Sequence, residues 1–147
     1  MTAEPGRGCI QLPRVMHGTH VLTYVASALR EWHHLGADVL WHTAWRSPYT
    51  DDLENVLRLS RMEAFASEEE FLRPESDACW WKLCAVQRWL REAADDVLPV
   101  WIDDEIGEHC RAKHLADPRL VVVAPEPKTG LTPEQISQIT QVLRSRS

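Results

Sequence analysis

From about residue 20 to the end of the chain, amphipathic helical patterns alternate with short apolar runs rich in β-branched residues. The first pattern covers residues 20–35, and its apolar positions at helical spacing are Leu22, Val25, Ala26, Leu29 and Trp32. Apolar runs at residues 37–43, 97–102 and 120–124 predict buried strands. This alternation predicts an α/β fold, a three-layer Rossmann-like sandwich with a mainly parallel sheet.

The remaining helical patterns are found at residues 51–62, 80–94 and 105–115, and after residue 131. The start of the last helix is the best defined. Thr132 and Gln135 have the spacing of a capping box, and Pro133 stands at the first helical position.

The N-terminal residues differ in composition from the rest of the chain. Residues 1–18 are rich in Gly, Pro and Arg, so we expect an extended arm with one short strand at residues 9–12. Residues 19–147 are expected to form a single domain, in which residues 63–79 are an exposed acidic loop.

The charge balance excludes several classes of protein. Lys and Arg number 16 against 22 Asp and Glu, for a formal net charge of −6, whereas a general binder of nucleic acids or anionic membranes would carry a basic surplus. The chain has no run of 18 apolar residues and no apolar N-terminal segment of the secretory type. We therefore expect a cytoplasmic protein without a membrane span, with its four cysteines reduced.

Polar residues stand at the ends of two predicted strands. Thr43 closes the first apolar run, Asp103 and Asp104 follow the second, and Lys82 begins the helix between them. Parallel sheets bind ligands beyond the carboxyl ends of their strands. A hydroxyl and an ammonium group suit a phosphate, and paired carboxylates suit Mg²⁺. Each residue also has an ordinary structural interpretation: a solvated turn or N-cap for the aspartates, a surface lysine, and a strand threonine.

The order of these motifs resembles that of the haloacid dehalogenase-like (HAD) superfamily, and is similar to a compact actinobacterial or phage-type branch of it. The stretches that carry the likeness, within a resemblance over about residues 20–147, are Val39–Trp45, Trp80–Val86, Val100–Ile106 and Ala124–Thr132. The resemblance implies a Rossmann-like fold and a Mg²⁺-dependent phosphohydrolase or phosphotransferase. It assigns the phosphoryl group to Thr43 and Lys82 and the metal to Asp103 or Asp104. The implied ligand is a phosphorylated small molecule or the terminal phosphate of a nucleic acid.

The chain departs from this family at the first motif. Relatives place a nucleophilic Asp at the end of the first strand and a second Asp two residues later. Residues 1–19 contain no Asp, and Gly8–Pro13, the nearest analogue by position, offers no carboxylate. No catalytic residue is therefore assigned, and we expect a protein that is inactive or truncated at its N-terminus.

The alternative is a non-catalytic module that binds a phosphate-bearing ligand or a protein partner. In relatives the first motif belongs to a central strand, and a gap there would leave backbone groups unpaired at about 1–3 kcal/mol each. Residues 9–12, a strand from a second chain, or residues upstream of Met1 are three ways to fill that position. The second of these would make the protein a homodimer joined through its sheet.

Three other features favour structural interpretations. Cys84 lies inside a predicted buried helix face, which indicates packing and not a nucleophile. Cys110 and His114 lack the additional ligands of a zinc site. Of Trp80 and Trp81, we expect one in the core and the other covering the predicted site.

Overall fold

The structure, a computed structural model, describes residues 9–11, 20–43, 50–51, 54–55, 58–59, 61–67, 69–70 and 80–145. In chain order its elements are β1 (Cys9–Gln11), β2 (His20–Leu22), α1 (Thr23–His34), α2 (Trp81–Glu92), β3 (Val100–Ile102), α3 (Ile106–His109), a 3₁₀ helix (Ala112–Leu115), β4 (Val121–Val123) and α4 (Pro133–Ser145). The chain divides into two compact units. The first comprises Met1–Trp41, Trp45–Glu63 and Pro125–Ser147, and the second comprises His42–Ala44 and Ala64–Ala124.

The first unit is built on the pairing of α1 with α4. The Trp32 indole N–H donates to Thr140 Oγ1 at 2.8 Å, and the Tyr24 hydroxyl donates to the Leu131 carbonyl at 2.8 Å. The side chains of α1 that face inward are Val25, Ala26, Ala28, Leu29 and Trp32. Their spacing of three and four residues is that of one helix face, as the sequence predicts.

The capping box at the start of α4 is confirmed. The Gln135 backbone N–H donates to Thr132 Oγ1 at 3.2 Å, and the Thr132 N–H donates to Gln135 Oε1 at 3.0 Å. Two backbone donors of the first turn are thereby satisfied, and Pro133 needs no partner because it has no N–H.

The second unit contains a parallel pair of strands. β3 and β4 run in register from Val100 opposite Val121 to Ile102 opposite Val123. The ladder continues one residue further, since the Asp103 N–H donates to the Val123 carbonyl at 3.2 Å. The fold thus mixes helices and strands and has a small parallel sheet, which agrees with the predicted α/β class.

The core of the second unit lies between α2 and this pair of strands. Its buried members are Trp80, Leu83, Val86, Leu90, Trp101 and Ile106. Leu83, Val86 and Leu90 share one face of α2, and that face fixes how the helix lies on the core. Each buried Leu or Val side chain contributes about 1.5–3 kcal/mol of hydrophobic stabilisation.

Glu70, a described residue of the acidic segment before α2, is held to that helix. Arg88 donates to both oxygens of Glu70, from Nη2 at 3.0 Å and from Nε at 3.2 Å. Burial alone would raise the pKa of Glu70, but the hydrogen bonds from Arg88 and Ser67 outweigh it and hold that pKa below its usual range. Glu70 is therefore not the fully solvated residue that the Glu run at 68–70 predicts.

Two predictions of secondary structure near the N-terminus are wrong. Residues 20–22 fit the helical spacing but form β2, antiparallel to β1, because the extended backbone of β1 requires hydrogen-bond partners. The apolar run at residues 37–43 is not a strand. Its residues 37–40 have no regular structure, and Leu40 is 41% exposed, so apolar composition alone did not bury it.

Two predicted helices are shorter than their patterns. The helical residues 50–51 and 54–55 are followed by Arg58 at a φ of 55°, which ends the helix before the predicted residue 62. The helix at 105–115 is interrupted at Cys110, whose extended backbone separates α3 from the 3₁₀ helix.

The expectation that all four thiols are reduced is wrong at Cys84, which is disulfide-bonded, whereas Cys110 is free. A disulfide sulfur has no thiolate, so Cys84 has no nucleophile to offer. Among the described residues, no helix combines the length and apolar character needed to cross a membrane.

Candidate functional site

The second unit contains a buried ion pair at the carboxyl end of β3. Lys82 Nζ lies 2.8 Å from Asp103 Oδ2, and the two side chains are only 12% and 6% exposed. Lys82 is in the first turn of α2, where the helix dipole disfavours a cation, and that turn carries no acidic side chain of its own. The Asp103 carboxylate, which comes from outside the helix, compensates the positive charge of Lys82.

The second oxygen of Asp103 is also engaged. Oδ1 accepts a hydrogen bond from the Glu105 backbone N–H at 2.8 Å, which folds the chain into a turn directly after β3. Asp103 is therefore a fixed carboxylate that orients the Lys82 ammonium. Its position after a parallel strand is the one that the sequence predicts.

Two further carboxylates follow Asp103 and are more exposed. One ligand oxygen from each of Asp103, Asp104 and Glu105 lies within 4.8 Å of the other two. Three hard oxygen donors at this spacing suit a small divalent cation, because Mg²⁺ takes carboxylate oxygens and completes its shell with water or phosphate. The three carboxylates are donors of the type that the family resemblance implies, but both oxygens of Asp103 are already engaged, by Lys82 and by the Glu105 N–H.

His42 connects the segment before Thr43 to the start of α2. Its Nε2 lies 2.9 Å from the Lys82 carbonyl oxygen, so the ring nitrogen carries the proton and donates it. The ring is packed against aromatic side chains, with centroid distances of 4.8 Å to Phe65 and 5.3 Å to Trp81. This hydrogen bond fixes the backbone of residue 82, and therefore helps to position the Lys82 side chain.

The Lys82 ammonium also lies among indoles. Nζ is 5.4 Å from the Trp80 ring centroid and 5.8 Å from that of Trp81, within the range of cation–π attraction. Trp80 belongs to the buried core and stacks on His109 with centroids 4.3 Å apart. Trp81 is only partly buried. These apolar walls lower the local dielectric and strengthen the attraction of Lys82 for an anion.

The structure brings Lys82, Asp103 and Asp104 together and gives Thr43 its place next to His42 in the chain. Lys82 and Asp103 are in contact. Asp104 follows Asp103 in the same acidic group, and Thr43, partly buried, follows His42. Sequence reasoning missed His42 as a member of the site. Its position next to Thr43 could have indicated His42 as a candidate. The burial of its ring could not have been predicted, because it depends on Phe65 and Trp81, which are distant in the sequence.

Burial lowers the pKa of His42 below its ordinary value of 6.5, and its hydrogen bond to the Lys82 carbonyl only partly opposes this. The unfolded chain therefore binds a proton at this residue before the folded chain does. We expect the free energy of unfolding to fall as the pH drops below about 6.5 towards the lowered folded-state value. Urea unfolding between pH 5 and pH 8 measures this dependence.

The variant His42→Gln is the matched control, because an amide N–H can still donate to the Lys82 carbonyl but does not titrate. Its stability should depend less on pH over the same interval than that of the unmodified chain. Identical profiles for the two proteins would show that His42 contributes nothing to the acid sensitivity.

The other candidates have structural surroundings. Burial raises the pKa of Cys110, and the nearby Asp103 charge acts in the same direction, so its thiolate is disfavoured. His114 Nδ1 accepts a hydrogen bond from the Arg111 N–H at 3.1 Å, at the start of the 3₁₀ helix. These contacts agree with the structural interpretation of both residues.

Comparison with known proteins gives one result. A family model described as the HAD domain in Swiss Army Knife RNA repair proteins matches residues 18–136. The match includes the ion pair, the acidic group after β3 and the segment with His42 and Thr43. No curated protein and no solved structure matches the chain.

Proposed function

The chain belongs to the family of HAD domains found in Swiss Army Knife RNA repair proteins, and from this premise we propose that its acidic and basic site binds Mg²⁺ together with the terminal phosphate of an RNA strand. The site is of the phosphohydrolase type. The observation that carries the proposal is the buried Lys82–Asp103 pair, 2.8 Å apart, with Asp104 next to it.

The proposed roles combine the family resemblance with the contacts of Lys82 and Asp103. Asp104, assisted by Asp103, holds the metal, which would neutralise charge on the phosphate oxygens. The Lys82 ammonium binds a phosphate oxygen, and the Thr43 hydroxyl donates to another. Asp103 orients Lys82 through its Oδ2, and His42 positions the backbone of the same residue.

The family resemblance implies a nucleophilic Asp at the end of the first strand, and residues 1–19 contain no Asp. We therefore propose that the chain binds terminal phosphates without releasing them. The three-layer sandwich, the single domain over residues 19–147, the cytoplasmic location and the homodimer stay predictions. The parallel β3–β4 pair supports the first of them.

We expect the chain to bind a short RNA with a terminal phosphate about 10-fold more tightly than the same RNA with hydroxyl ends, a difference of about 1.4 kcal/mol. Fluorescence anisotropy in Mg²⁺ measures this for 5′ and 3′ phosphates separately. Asp104→Asn should remove most of the preference, because a neutral amide holds Mg²⁺ far more weakly than a carboxylate.

Asp96→Asn is the matched control, since it changes one exposed aspartate of the same unit outside the acidic group. It should leave the preference intact. Equal affinity for phosphate and hydroxyl ends would contradict the binding proposal. Release of inorganic phosphate that Asp104→Asn abolishes would contradict the proposal that no turnover occurs.

A further inference from the structure

A short stretch of the second unit contacts the site through His42. The structure describes this stretch at residues 64–67, 69 and 70, and we call it the Phe65 segment. Its residues are not among those assigned above to the metal or to the phosphate. Their contacts nevertheless connect the surface of α2 with the backbone of Lys82.

The Phe65 segment folds on itself. The Glu70 N–H donates to Ser67 Oγ at 3.2 Å, and the Ser67 N–H donates to Glu70 Oε1 at 3.4 Å. These reciprocal bonds between Ser and Glu three residues apart are those of a capping box. Ala66, directly before this turn, is buried. The segment is therefore a folded turn with an anchored start.

An ion pair fixes this turn to α2. Arg88 donates to both oxygens of the Glu70 carboxylate. Two parallel bonds from one guanidinium fix the orientation of the carboxylate as well as its distance. Arg88 Nη1 also lies 3.1 Å from Glu92 Oε2 on the same helix, so the guanidinium is itself held in place.

Phe65 lies between α2 and His42. Its ring centroid is 4.8 Å from that of His42, with an angle of 61° between the two planes, which is the edge-to-face geometry that aromatic pairs favour. On its other contact, its centroid is 6.3 Å from that of Trp89, the neighbour of Arg88 on α2. The place of Phe65 is thus set by α2, both directly and through Glu70.

His42 connects Phe65 with Lys82. The imidazole lies between the rings of Phe65 and Trp81 and donates from Nε2 to the Lys82 carbonyl. Burial lowers the pKa of His42, and the Glu70 charge is among the influences that oppose this lowering. The carboxylate that binds Arg88 is therefore within electrostatic reach of the imidazole. A ring confined in this way keeps its N–H directed at the carbonyl.

We propose that Phe65 is a positioning residue for the phosphate site: it holds the His42 ring against the Lys82 carbonyl, and the Arg88–Glu70 ion pair holds Phe65 in place. This inference rests on the proposed function, in which Lys82 binds a phosphate oxygen. Phe65 also packs against the core of the second unit. A purely structural role would affect stability, whereas a positioning role also affects the His42 hydrogen bond and the selection of phosphate ends.

The first test observes the His42 hydrogen bond in the full chain without RNA. In protein labelled with ¹⁵N, the Nε2 proton should exchange slowly with water, because the Lys82 carbonyl and the surrounding rings protect it. Phe65→Ala should speed this exchange about 10-fold or more, since the ring gains room to turn. Phe65→Leu keeps most of the apolar volume and should restore most of the protection.

The second test measures the preference for phosphate ends over hydroxyl ends in Mg²⁺. This preference is a ratio of two affinities of one protein, so a loss of folded protein cancels. Phe65→Ala should lower it about 5-fold, and Arg88→Gln should lower it in the same direction. Arg91→Gln is the matched control, because it removes the same charge from an exposed residue of the same helix, and it should leave the preference unchanged.

Two results would overturn the proposal. One is an equal exchange rate of the His42 proton in Phe65→Ala and in the unmodified chain. The other is an equal preference for phosphate ends in Arg88→Gln and Arg91→Gln. If the unmodified chain itself shows no preference, the proposed function is contradicted, and the exchange rates still decide whether Phe65 positions His42.

Discussion

Replacing Lys82 by methionine is expected to lower the free energy of unfolding by about 3–5 kcal/mol, the usual cost of leaving a buried charge without its partner. The Asp103 side chain is 6% exposed and, among the described residues, would keep only the Glu105 N–H as a donor. Methionine fills a similar volume, so loss of packing is a minor part of the effect. Urea unfolding at pH 7 measures the change, which is a large fraction of the 5–15 kcal/mol stability of an ordinary domain.

A double variant separates the pair from the single residues. Lys82→Met combined with Asp103→Leu removes both charges, so it should be clearly more stable than the sum of the two single losses predicts. Lys113→Met is the control for replacing a lysine, because Lys113 is exposed. Simple additivity of the two single variants would show that the ion pair contributes no coupling energy.

Replacing Trp101 by alanine should cost about 3–5 kcal/mol, as for other buried tryptophans. Trp101 lies in β3, is buried, and contacts the rings of Trp80 and His42, both with centroids 6.0 Å away. Its removal would open a cavity beside Trp80 and His42, which flank Lys82. Chemical unfolding measures the stability, and loss of Mg²⁺-dependent RNA binding would report the damage to the site.

Trp101→Phe should cost far less, about 1.5 kcal/mol or below. The Trp101 indole N–H is buried and has no hydrogen-bond partner among the described residues, so phenylalanine removes a polar group that gains nothing from the fold. Val97→Ala, at an exposed position of the same unit, controls for truncation as such. A Phe variant as unstable as the Ala variant would show that the N–H has a partner after all.

Elements specified by local chemistry could be predicted from the sequence. The capping box of α4 depends on two side chains three residues apart, and α2 depends on the spacing of Leu83, Val86 and Leu90. The secondary structure of residues 20–22 and of residues 37–43 depends on whether another strand lies beside them. The helical pattern at residues 20–22 does not prevent them from pairing with β1. The apolar run at residues 37–43 does not form a strand, because apolar composition alone supplies no partner strand.

The same distinction applies to the site. The places of Lys82 and of Asp103 and Asp104 follow from their positions at element ends, which the sequence shows. The ion pair between Lys82 and Asp103 and the burial of His42 arise only when α2 packs beside β3. No spacing in the sequence encodes contacts of that kind, so the positions of these residues at element ends could be predicted, whereas their hydrogen bonds could not.

In the bond between Lys82 and Asp103 the ammonium and the carboxylate neutralise each other, so each ligand of the proposed site must compete with the other member of the pair. A cation that engages Asp103 weakens its hold on the ammonium and makes Lys82 available to an anion, and an anion that draws Lys82 away exposes Asp103 to a cation. Thermodynamic linkage then requires each ligand to raise the affinity of the other by the same factor. Metal and phosphate in this protein should therefore be heterotropic partners, each recruiting the other.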